Sequence, residues 1–308
     1  MKKIADYDTY NYDYSTYWKK REYEHISEEI LLKNLFAKLK GQWFLDIGGS
    51  FGRLTDSYYN NYSNPVIVDY SLKTLQKNSK DLKKRFPRIE LIAANAYNLP
   101  FKERTFDGAL MVRVLHHIDR PKDCLTQIYR ILTPNGKYIQ EYANKVHIKA
   151  VIRALIHFDL SIFNTTPYQQ PDKHHYEGTK EGSKVLFLNY HPKYISDMFN
   201  KIGLRIDKKY GCSFLRSAFL KQTFKTEALL SIEKLLQKTL SWSNISPSIF
   251  LRATAIKEEQ EIKSAKNILD ICVCPVCKER LSFEGNSAKC DKCKTQYYKK
   301  EDIWDFRV

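Results

Sequence analysis

The feature that most constrains this chain is a glycine-rich turn between two short apolar runs. Residues 43–47 (WFLDI) lead directly into the turn at 48–52 (GGSFG). A second apolar run, 66–69 (VIVD), ends in Asp69, seventeen residues after the last glycine. In an open parallel sheet, such glycines let the backbone approach a ligand, and an acid that closes the next strand binds ribose hydroxyls. The pattern predicts a nucleoside-binding α/β sheet.

Beyond this turn, short apolar runs alternate with helical patterns, which is typical of βαβ units and a parallel sheet. The runs predict strands at 43–47, 65–69, 89–93, 106–112, 137–141 and 204–209. Helices are predicted from about 53, and at 71–86, 122–132 and 193–202. Ser71 is a good N-cap for the second of these helices. A late strand at 248–256 is predicted to be antiparallel and to lie at the sheet edge.

The chain divides into four predicted parts: an N-terminal lid and helix, a main domain, a linker and a small tail, at 1–40, 41–256, 257–271 and 272–308. Two insertions interrupt the main domain. Residues 145–190 are rich in aromatic residues and His, and residues 214–248 are mostly amphipathic helix. The lid is predicted from a tyrosine cluster, which is well suited to cover a ligand: Tyr7, Tyr10, Tyr12, Tyr14, Tyr17 and Tyr23.

Four of the seven cysteines form two CxxC pairs in the tail: Cys274 with Cys277, and Cys290 with Cys293, with twelve residues between the pairs. This spacing is typical of a zinc ribbon, in which four thiolates hold the ion tetrahedrally and leave no open position. The sequence therefore predicts a structural Zn²⁺, and Cys272 is expected to take no part. Disulfides are the alternative, but the N-terminus turns polar at once, so we expect a cytoplasmic protein with reduced thiols.

The formal net charge of +16 suggests a nucleic-acid partner. The excess falls on segments such as 71–88 and 201–238, and the lysines of the first recur at helical spacing, which is typical of a solvated helix face. RNA therefore stays an alternative partner and not the leading one. No stretch reaches the roughly 18 apolar residues that span a bilayer.

The spacing of the turn favours S-adenosylmethionine (SAM) over a dinucleotide. Asp46, Gly48 and Gly52 form the pattern Asp-x-Gly-x-x-x-Gly, with Gly49 as an extra glycine. An acid on the first strand is not part of the dinucleotide fingerprint, but it suits the positively charged amino-acid tail of SAM. No third glycine is placed for a pyrophosphate at a helix N-terminus. We therefore expect SAM as the cofactor.

The chain resembles the class I SAM-dependent methyltransferases, and within them the large type 11 group near the ubiquinone/menaquinone C-methyltransferases. The resemblance covers roughly residues 40–145. It rests on four blocks in order: LDIGGSFG (45–52), VDYS (68–71), NAYNLPF to TFD (95–107) and VLHHI to YRILTPNG (114–136). It implies an α/β fold with a Rossmann-like, seven-stranded methyltransferase sheet and helices on both faces, followed here by the four-cysteine ribbon.

The resemblance also implies a set of cofactor-binding residues: Asp46, Gly48, Gly49, Gly52, Asp69, Tyr70, Asn95, Ala96 and Arg113. Asp69 would bind both ribose hydroxyls, residues 95–96 would meet the adenine, and residues 111–114 would run under the sulfonium. Two positions depart from the family pattern. Ser50 stands where a glycine is frequent, so its side chain must point away from the cofactor. Asn95 replaces the usual Asp, and its carbonyl oxygen can still accept a hydrogen bond from the adenine amino group.

Two histidines are candidate catalytic residues. His116 and His117 follow the fourth strand at the carboxyl edge of the sheet, where ligands bind. Methyl transfer from an activated sulfonium needs mainly positioning and a dry site, so a base is required only if the acceptor must lose a proton. Local packing is the alternative role for both. Three further histidines in or beside the first insertion, His174, His175 and His191, are expected to be solvated loop residues.

The tail after Cys293 resembles the small zinc-ribbon subunit that activates several translation-linked methyltransferases, here fused in cis.

The leading hypothesis is a cytoplasmic methyltransferase for a small-molecule, lipid-linked or glycan-linked acceptor. The alternative is a tRNA or rRNA methyltransferase that holds RNA with its ribbon and basic surface, although MVRV at 111–114 stands where an Asn-Pro-Pro-Tyr-type motif would follow the fourth strand. A scaffold without SAM is disfavoured by Asp46, Gly48 and Asp69. Aromatic residues in the insertions predict a covered acceptor cavity beside His116 and His117, bounded by the N-terminal tyrosines and the first insertion.

Overall fold

The structure is a computed structural model that describes residues 18, 21–170, 186–259 and 265–308. The described helices are α1 Glu22–Phe36, α2 Leu72–Arg85, α3 Pro121–Ile131, α4 Ile148–Ile156, α5 Pro192–Ile202, α6 Ala218–Thr223, α7 Thr226–Thr239 and α8 Ile268–Ile271. The first nine strands are β1 Gly41–Ile47, β2 Tyr62–Asp69, β3 Glu90–Ala93, β4 Phe106–Met111, β5 Leu132–Ala143, β6 Tyr168–Gln169, β7 Leu188–Asn189, β8 Leu204–Cys212 and β9 Ser248–Ala255. The tail adds β10 Leu281–Glu284, β11 Ser287–Cys290, β12 Gln296–Lys300 and β13 Ile303–Asp305.

One central sheet organises the molecule, with the strand order β10-β11-β12-β13-β3-β2-β1-β4-β5-β9-β8. Strands β3, β2, β1, β4 and β5 are parallel, whereas β9 is antiparallel to both β5 and β8. The seven strands from β3 to β8 confirm the predicted methyltransferase sheet. The prediction that the late strand lies at the edge is wrong, because β9 is inserted between β5 and β8 and leaves β8 as the edge strand.

The parallel strands bring the predicted site together at one edge. The apolar residues of β1 and β2 are buried on both faces of the sheet, as is usual where helices cover a parallel sheet. Asp46 on β1 is level with Ile67 on β2 and Leu110 on β4. The three strands therefore end at the same carboxyl edge of the sheet, where open α/β sheets bind ligands.

The helix predicted from about residue 53 is wrong. Two 3₁₀ turns, Thr55–Ser57 and Tyr59–Asn61, occupy this segment instead. Its Thr, Asp, Ser, Tyr and Asn residues all have low helix propensity. The N-terminal helix α1 is joined to these turns, because the Asn61 side-chain amide donates to the carbonyl oxygens of Phe36 and Leu39 at 2.8 and 2.7 Å.

Helix α1 also packs on the second insertion through buried polar contacts. The Tyr23 hydroxyl donates to the Glu233 carboxylate on α7, and the Gln237 amide donates to the Ser27 carbonyl oxygen at 3.0 Å. Tyr23 is therefore part of this packing and not of a lid. The other five tyrosines of the predicted cluster lie outside the described residues.

The four tail strands extend the sheet beyond β3. Strand β13 runs parallel to β3, with Trp304 opposite Ile92 and Asp305 opposite Ala93. Trp304 and Phe306 belong to the same buried cluster as Ile92. Within the segment predicted as a linker, helix α8 is capped by Asn267, whose side chain accepts from the backbone N–H groups of Leu269 and Asp270. The tail thus shares the core of the main sheet.

The first insertion contains α4, a 3₁₀ turn at Leu160–Phe163, and the short hairpin of β6 with β7. Its residues 171–185 lie outside the described part of the chain. Among the described residues, the search for a helix that is long and apolar enough to cross a membrane finds none.

Candidate functional site

A pocket lies at the carboxyl edge, beside the glycine turn. Eight of the nine predicted cofactor residues line it: Asp46, Gly48, Gly49, Asp69, Tyr70, Asn95, Ala96 and Arg113. The ninth, Gly52, does not line it. Gly52 has a φ of +72°, and a Cβ there would lie 2.3 Å from the Leu82 side chain, so this glycine permits the turn to pack on α2.

The backbone of Gly48 borders the pocket. Its φ is +73°, and a Cβ at this position would lie 2.2 Å from Cγ2 of Val114. Any larger residue would therefore push Val114 from the pocket wall or fill the space beside it. The backbone there is bare, as a close approach by a nucleoside cofactor requires.

Asp46 is a buried carboxyl at the floor of this pocket. The Tyr58 hydroxyl donates to its Oδ2 at 2.9 Å. Burial raises the pKa of Asp46 to about 7, against the opposing effects of the Tyr58 hydrogen bond and the Arg53 charge. A cation placed beside Asp46 would favour the ionised carboxylate, so this position is suited to a positively charged group.

Asp69 closes β2 and is oriented by the backbone on both sides. Its Oδ2 accepts from the Ser50 N–H at 3.0 Å, and its Oδ1 accepts from the Ser71 N–H at 2.8 Å. Ser50 has a φ of +50°, in the left-handed region that favours glycine. This backbone conformation accounts for the glycine that is frequent at this position in the family.

The opposite end of the pocket is formed by Asn95, Ala96 and Tyr97. The Asn95 side-chain oxygen accepts from the Tyr97 N–H at 3.0 Å and so caps a 3₁₀ turn at Ala96–Asn98. The Asn95 side-chain NH₂ group donates to the Val308 carbonyl oxygen at 3.4 Å. The sequence did not predict that the cysteine-bearing tail would reach this end of the pocket.

Arg113 lines the pocket, but its side chain is bound to α1. Its Nε donates to Oε1 of Glu28 at 2.7 Å, and its backbone N–H donates to Glu141 at 2.9 Å. Arg53 donates to the other oxygen of Glu28 at 2.7 Å. Burial alone would raise the pKa of Glu28, but the charges of Arg113 and Arg53 lower it below its usual value. Of residues 111–114, Met111 does not line the pocket and the other three do.

Trp18 and Arg53 cover one side of the pocket, and neither was in the predicted cofactor set. The Arg53 guanidinium lies 3.6 Å from the centre of the Trp18 ring, within range of a cation–π interaction. Trp18 directly follows Tyr17 of the tyrosine cluster, so the aromatic N-terminus is a usable signal. Arg53 directly follows the glycine turn but carries no motif of its own. No residue of 214–248 is among those that line the pocket.

The rings of the two candidate catalytic histidines touch, with 4.1 Å between their centres, but only one of them lines the pocket. His117 lines the pocket, with its Nδ1 2.7 Å from the Leu186 carbonyl oxygen. His116 does not line it, and its ring stacks on Phe187 with 4.2 Å between the ring centres. The first insertion thus contacts both histidines. His191 accepts from the Lys193 N–H as the N-cap of α5, while His174 and His175 lie outside the described residues.

The four predicted zinc ligands meet in the tail. The sulfurs of Cys274, Cys277, Cys290 and Cys293 all lie within 4.8 Å of one another. Zn–S bonds of about 2.3 Å in a tetrahedron place sulfurs about 3.8 Å apart, so the cluster fits one zinc ion. The residue after each pair, Lys278 or Lys294, has a positive φ, which turns the chain around the cluster. Cys272 is buried outside it, as expected.

Comparison with known proteins also identifies a methyltransferase domain in the main part of the chain. The family model described as "Methyltransferase domain" matches residues 45–140. An uncharacterized protein of Methanocaldococcus jannaschii is 38% identical over 145 residues, which are 46% of this chain and 57% of that protein. The demethylmenaquinone methyltransferase of Renibacterium salmoninarum is 29% identical over 109 residues, 35% of this chain and 44% of the enzyme. The chain spans about half the length of these curated relatives.

Two solved structures share the fold. A SAM-dependent methyltransferase of Thermotoga maritima aligns with a TM-score of 0.51 at 17% identity, over 81% of this chain and 98% of that one. A chain from the complex between the Haloferax volcanii Trm112 methyltransferase activator and a methyltransferase also gives 0.51, at 13% identity, over 79% of this chain and 96% of that one. At these identities the likeness concerns the fold alone.

Proposed function

We propose that this chain binds SAM in the pocket and transfers its methyl group to an acceptor. The premise is that residues 45–140 are a class I SAM-dependent methyltransferase domain. One observation carries the proposal. Asp46 and Asp69, the acids expected for the ammonium and the ribose of the cofactor, line one pocket together with the Gly48 backbone.

Each polar group of SAM has a pocket residue suited to bind it. Asp69, fixed by two backbone N–H groups, would accept hydrogen bonds from the ribose hydroxyls. Asp46 would hold the ammonium of the amino-acid tail, and Asn95 with Ala96 would contact the adenine. Gly48 and Gly49 would let the chain approach the cofactor. We assign Tyr70 and the Arg113 backbone to the pocket wall, and we assign the Arg113 side chain to binding Glu28.

Methyl transfer requires that SAM and the acceptor are positioned relative to each other and that water is excluded. Bound SAM supplies a methyl group on a sulfonium that is already activated for in-line displacement. Trp18, Val114 and Ile118 would keep water from this space. His117 is the candidate base for an acceptor that must lose a proton. A proton on Nδ1, donated to the Leu186 carbonyl oxygen, leaves Nε2 as the basic nitrogen. His116, stacked on Phe187, has a supporting role.

We propose a small-molecule, lipid-linked or glycan-linked acceptor. The support is the apolar character of the residues beside His117, among them Val112, Val114 and Ile118. A curated relative that acts on demethylmenaquinone, by its name, is compatible with such an acceptor. An RNA base would instead call for basic side chains along the pocket mouth.

We further propose that the tail at 272–308 is a zinc ribbon that stabilises the main domain, joined to residues 41–256 by the segment 257–271. The support is the four-cysteine cluster together with the pairing of β13 and β3. Residues 1–40 would form the N-terminal lid and helix, with Trp18 lining the pocket. Zinc bound to reduced thiolates agrees with the cytoplasmic location that we propose.

Methyl transfer from labelled SAM into fractionated cell extract tests this function. We expect label in the small-molecule, lipid or glycan fraction, and we expect it to disappear with the Asp69→Ala variant. Label recovered in RNA would contradict the proposed acceptor class. Absence of label in every fraction, together with absence of SAM binding by calorimetry, would contradict the activity itself.

A further inference from the structure

The first insertion exposes its apolar side chains. On α4, Ile148, Ile152, Leu155 and Ile156 recur at the spacing of one helix face, and all four are exposed. On the inner face of the helix, the small residues Ala150 and Ala154 are buried and Val151 is half-buried. The helix thus turns its small residues inward and its large apolar residues outward, the reverse of an ordinary surface helix.

The apolar character continues past the end of α4. Phe158 has a φ of +54° and is 91% exposed, and Leu160 is 69% exposed. We name the six side chains of Ile148, Ile152, Leu155, Ile156, Phe158 and Leu160 the insertion surface. Six large apolar residues exposed together are unusual on a soluble chain and indicate a surface that contacts something apolar.

Basic residues border the insertion surface. Lys149 and Arg153 are exposed on α4 between its apolar residues. Burial, aided by the charges of Arg216, Arg153 and Lys149, lowers the pKa of His147 to about 4. Arg216 of the second insertion therefore adds to the same positive region. Over residues 145–170, Lys145, Lys149 and Arg153 face a single acid, Asp159.

We propose that the insertion surface docks on an anionic lipid bilayer, with α4 in the interface and the exposed Phe158 side chain facing the lipid. Apolar side chains flanked by Lys and Arg on one helix are the arrangement of interfacial helices. A second copy of the chain fits less well, because a two-fold contact would oppose the same basic groups in a chain of net charge +16. Nucleic acid matches the charge but not the exposed apolar side chains.

The insertion surface is connected to the candidate site through short contacts. Lys145 donates from Nζ to the carbonyl oxygens of Asn164 and Thr166 at 2.7 and 3.0 Å, which holds the segment after α4. Its backbone N–H donates to the Tyr190 carbonyl oxygen at 2.9 Å, and the Tyr190 hydroxyl donates to that of Leu115 at 3.0 Å. A bilayer at this surface would therefore contact the same insertion whose Leu186 carbonyl oxygen lies beside His117.

Flotation of the full chain with lipid vesicles tests the proposal. We expect binding to vesicles of equal parts phosphatidylcholine and phosphatidylglycerol, weaker binding at high salt, and none to phosphatidylcholine alone. The Phe158→Asn, Leu160→Ser double variant should lower the bound-to-free ratio by about tenfold or more, since two large apolar groups are lost. Asn tolerates the left-handed backbone at 158. Tyr298→Ser, an exposed apolar change in the tail, is the matched control and should bind as the unmodified chain does.

A second pair of variants tests the charge. Lys149→Glu with Arg153→Glu should weaken flotation strongly. Lys80→Glu with Lys84→Glu, which changes the net charge equally on α2, should weaken it little. Equal losses in both pairs, or no binding to the anionic vesicles, would overturn the proposal. So would sedimentation showing a dimer that Phe158→Asn dissociates, because the surface would then belong to a second copy. Vesicle binding needs no methyl transfer, so this test is separate from that of the proposed function.

Discussion

Arg307 donates a hydrogen bond from Nη1 to the carbonyl oxygen of Tyr70 at 3.1 Å. Tyr70 lines the candidate cofactor pocket, and Arg307 follows the last strand of the cysteine-bearing tail. The contact exists because β13 lies parallel to β3, so that the chain leaving β13 emerges at the same carboxyl edge as the site. The tail therefore contacts a residue of the pocket wall, although none of its own described residues lines the pocket.

The first prediction concerns this contact. Arg307→Ala removes the hydrogen bond to Tyr70, so we expect SAM affinity to fall by about 1 kcal/mol, or roughly fivefold, in calorimetry. Arg307 also forms an ion pair with Asp305 at 2.8 Å. Lys300→Ala is the matched control, since Lys300 pairs with the same Asp305 at 2.9 Å and does not contact Tyr70. An equal loss in both variants would show that general stability of the tail, and not the Tyr70 contact, is responsible.

The second prediction concerns the ribose acid. Asp69→Ala should weaken SAM binding by about 2 kcal/mol or more, because charge-assisted hydrogen bonds to two hydroxyls are lost. Asp56→Ala removes an exposed carboxylate paired with Arg85 and should leave the affinity unchanged. Unchanged affinity in the Asp69 variant would remove this residue from the site.

The third prediction is a pH dependence set by Asp46. Burial raises the pKa of this carboxyl to about 7, so in the free protein it is protonated at lower pH. Binding the ammonium of SAM requires the carboxylate, and the affinity should therefore fall as the pH drops below about 7, approaching tenfold per pH unit. Asp46→Asn should bind more weakly and lose this dependence. A flat profile for the unmodified chain would contradict the role of Asp46.

The fourth prediction separates the two histidines. His117→Ala should lower the rate of methyl transfer far more than His116→Ala, because only His117 lines the pocket. Both variants should retain SAM binding in calorimetry. If both rates stay unchanged, the acceptor loses no proton to either residue, and positioning alone accounts for the reaction.

The sequence predicted the sheet because its strands are short apolar runs with clear boundaries, and the glycine turn and Asp69 follow from the same local pattern. Contacts between distant segments could not be predicted in this way. The placement of β9 inside the edge depends on pairing with β5, and the Arg113–Glu28 contact joins residues that are far apart in sequence. The sequence at His116 and His117 does not indicate which of the two imidazole rings faces the pocket.

The last prediction joins the zinc cluster to the cofactor site. Purified protein should contain one zinc ion per chain, and Cys290→Ser should unfold residues 272–308, because the four thiolates of the cluster are the ligands that fold such a tail. Since β13 pairs with β3, and Val308 with Asn95, loss of zinc should also lower SAM affinity. Zinc analysis, NMR spectra of the tail, and calorimetry with SAM before and after chelation measure these effects. Cys272→Ser, outside the cluster, is the control and should keep its zinc. Chelation that unfolds the tail but leaves SAM affinity unchanged would show that the pocket is complete without it.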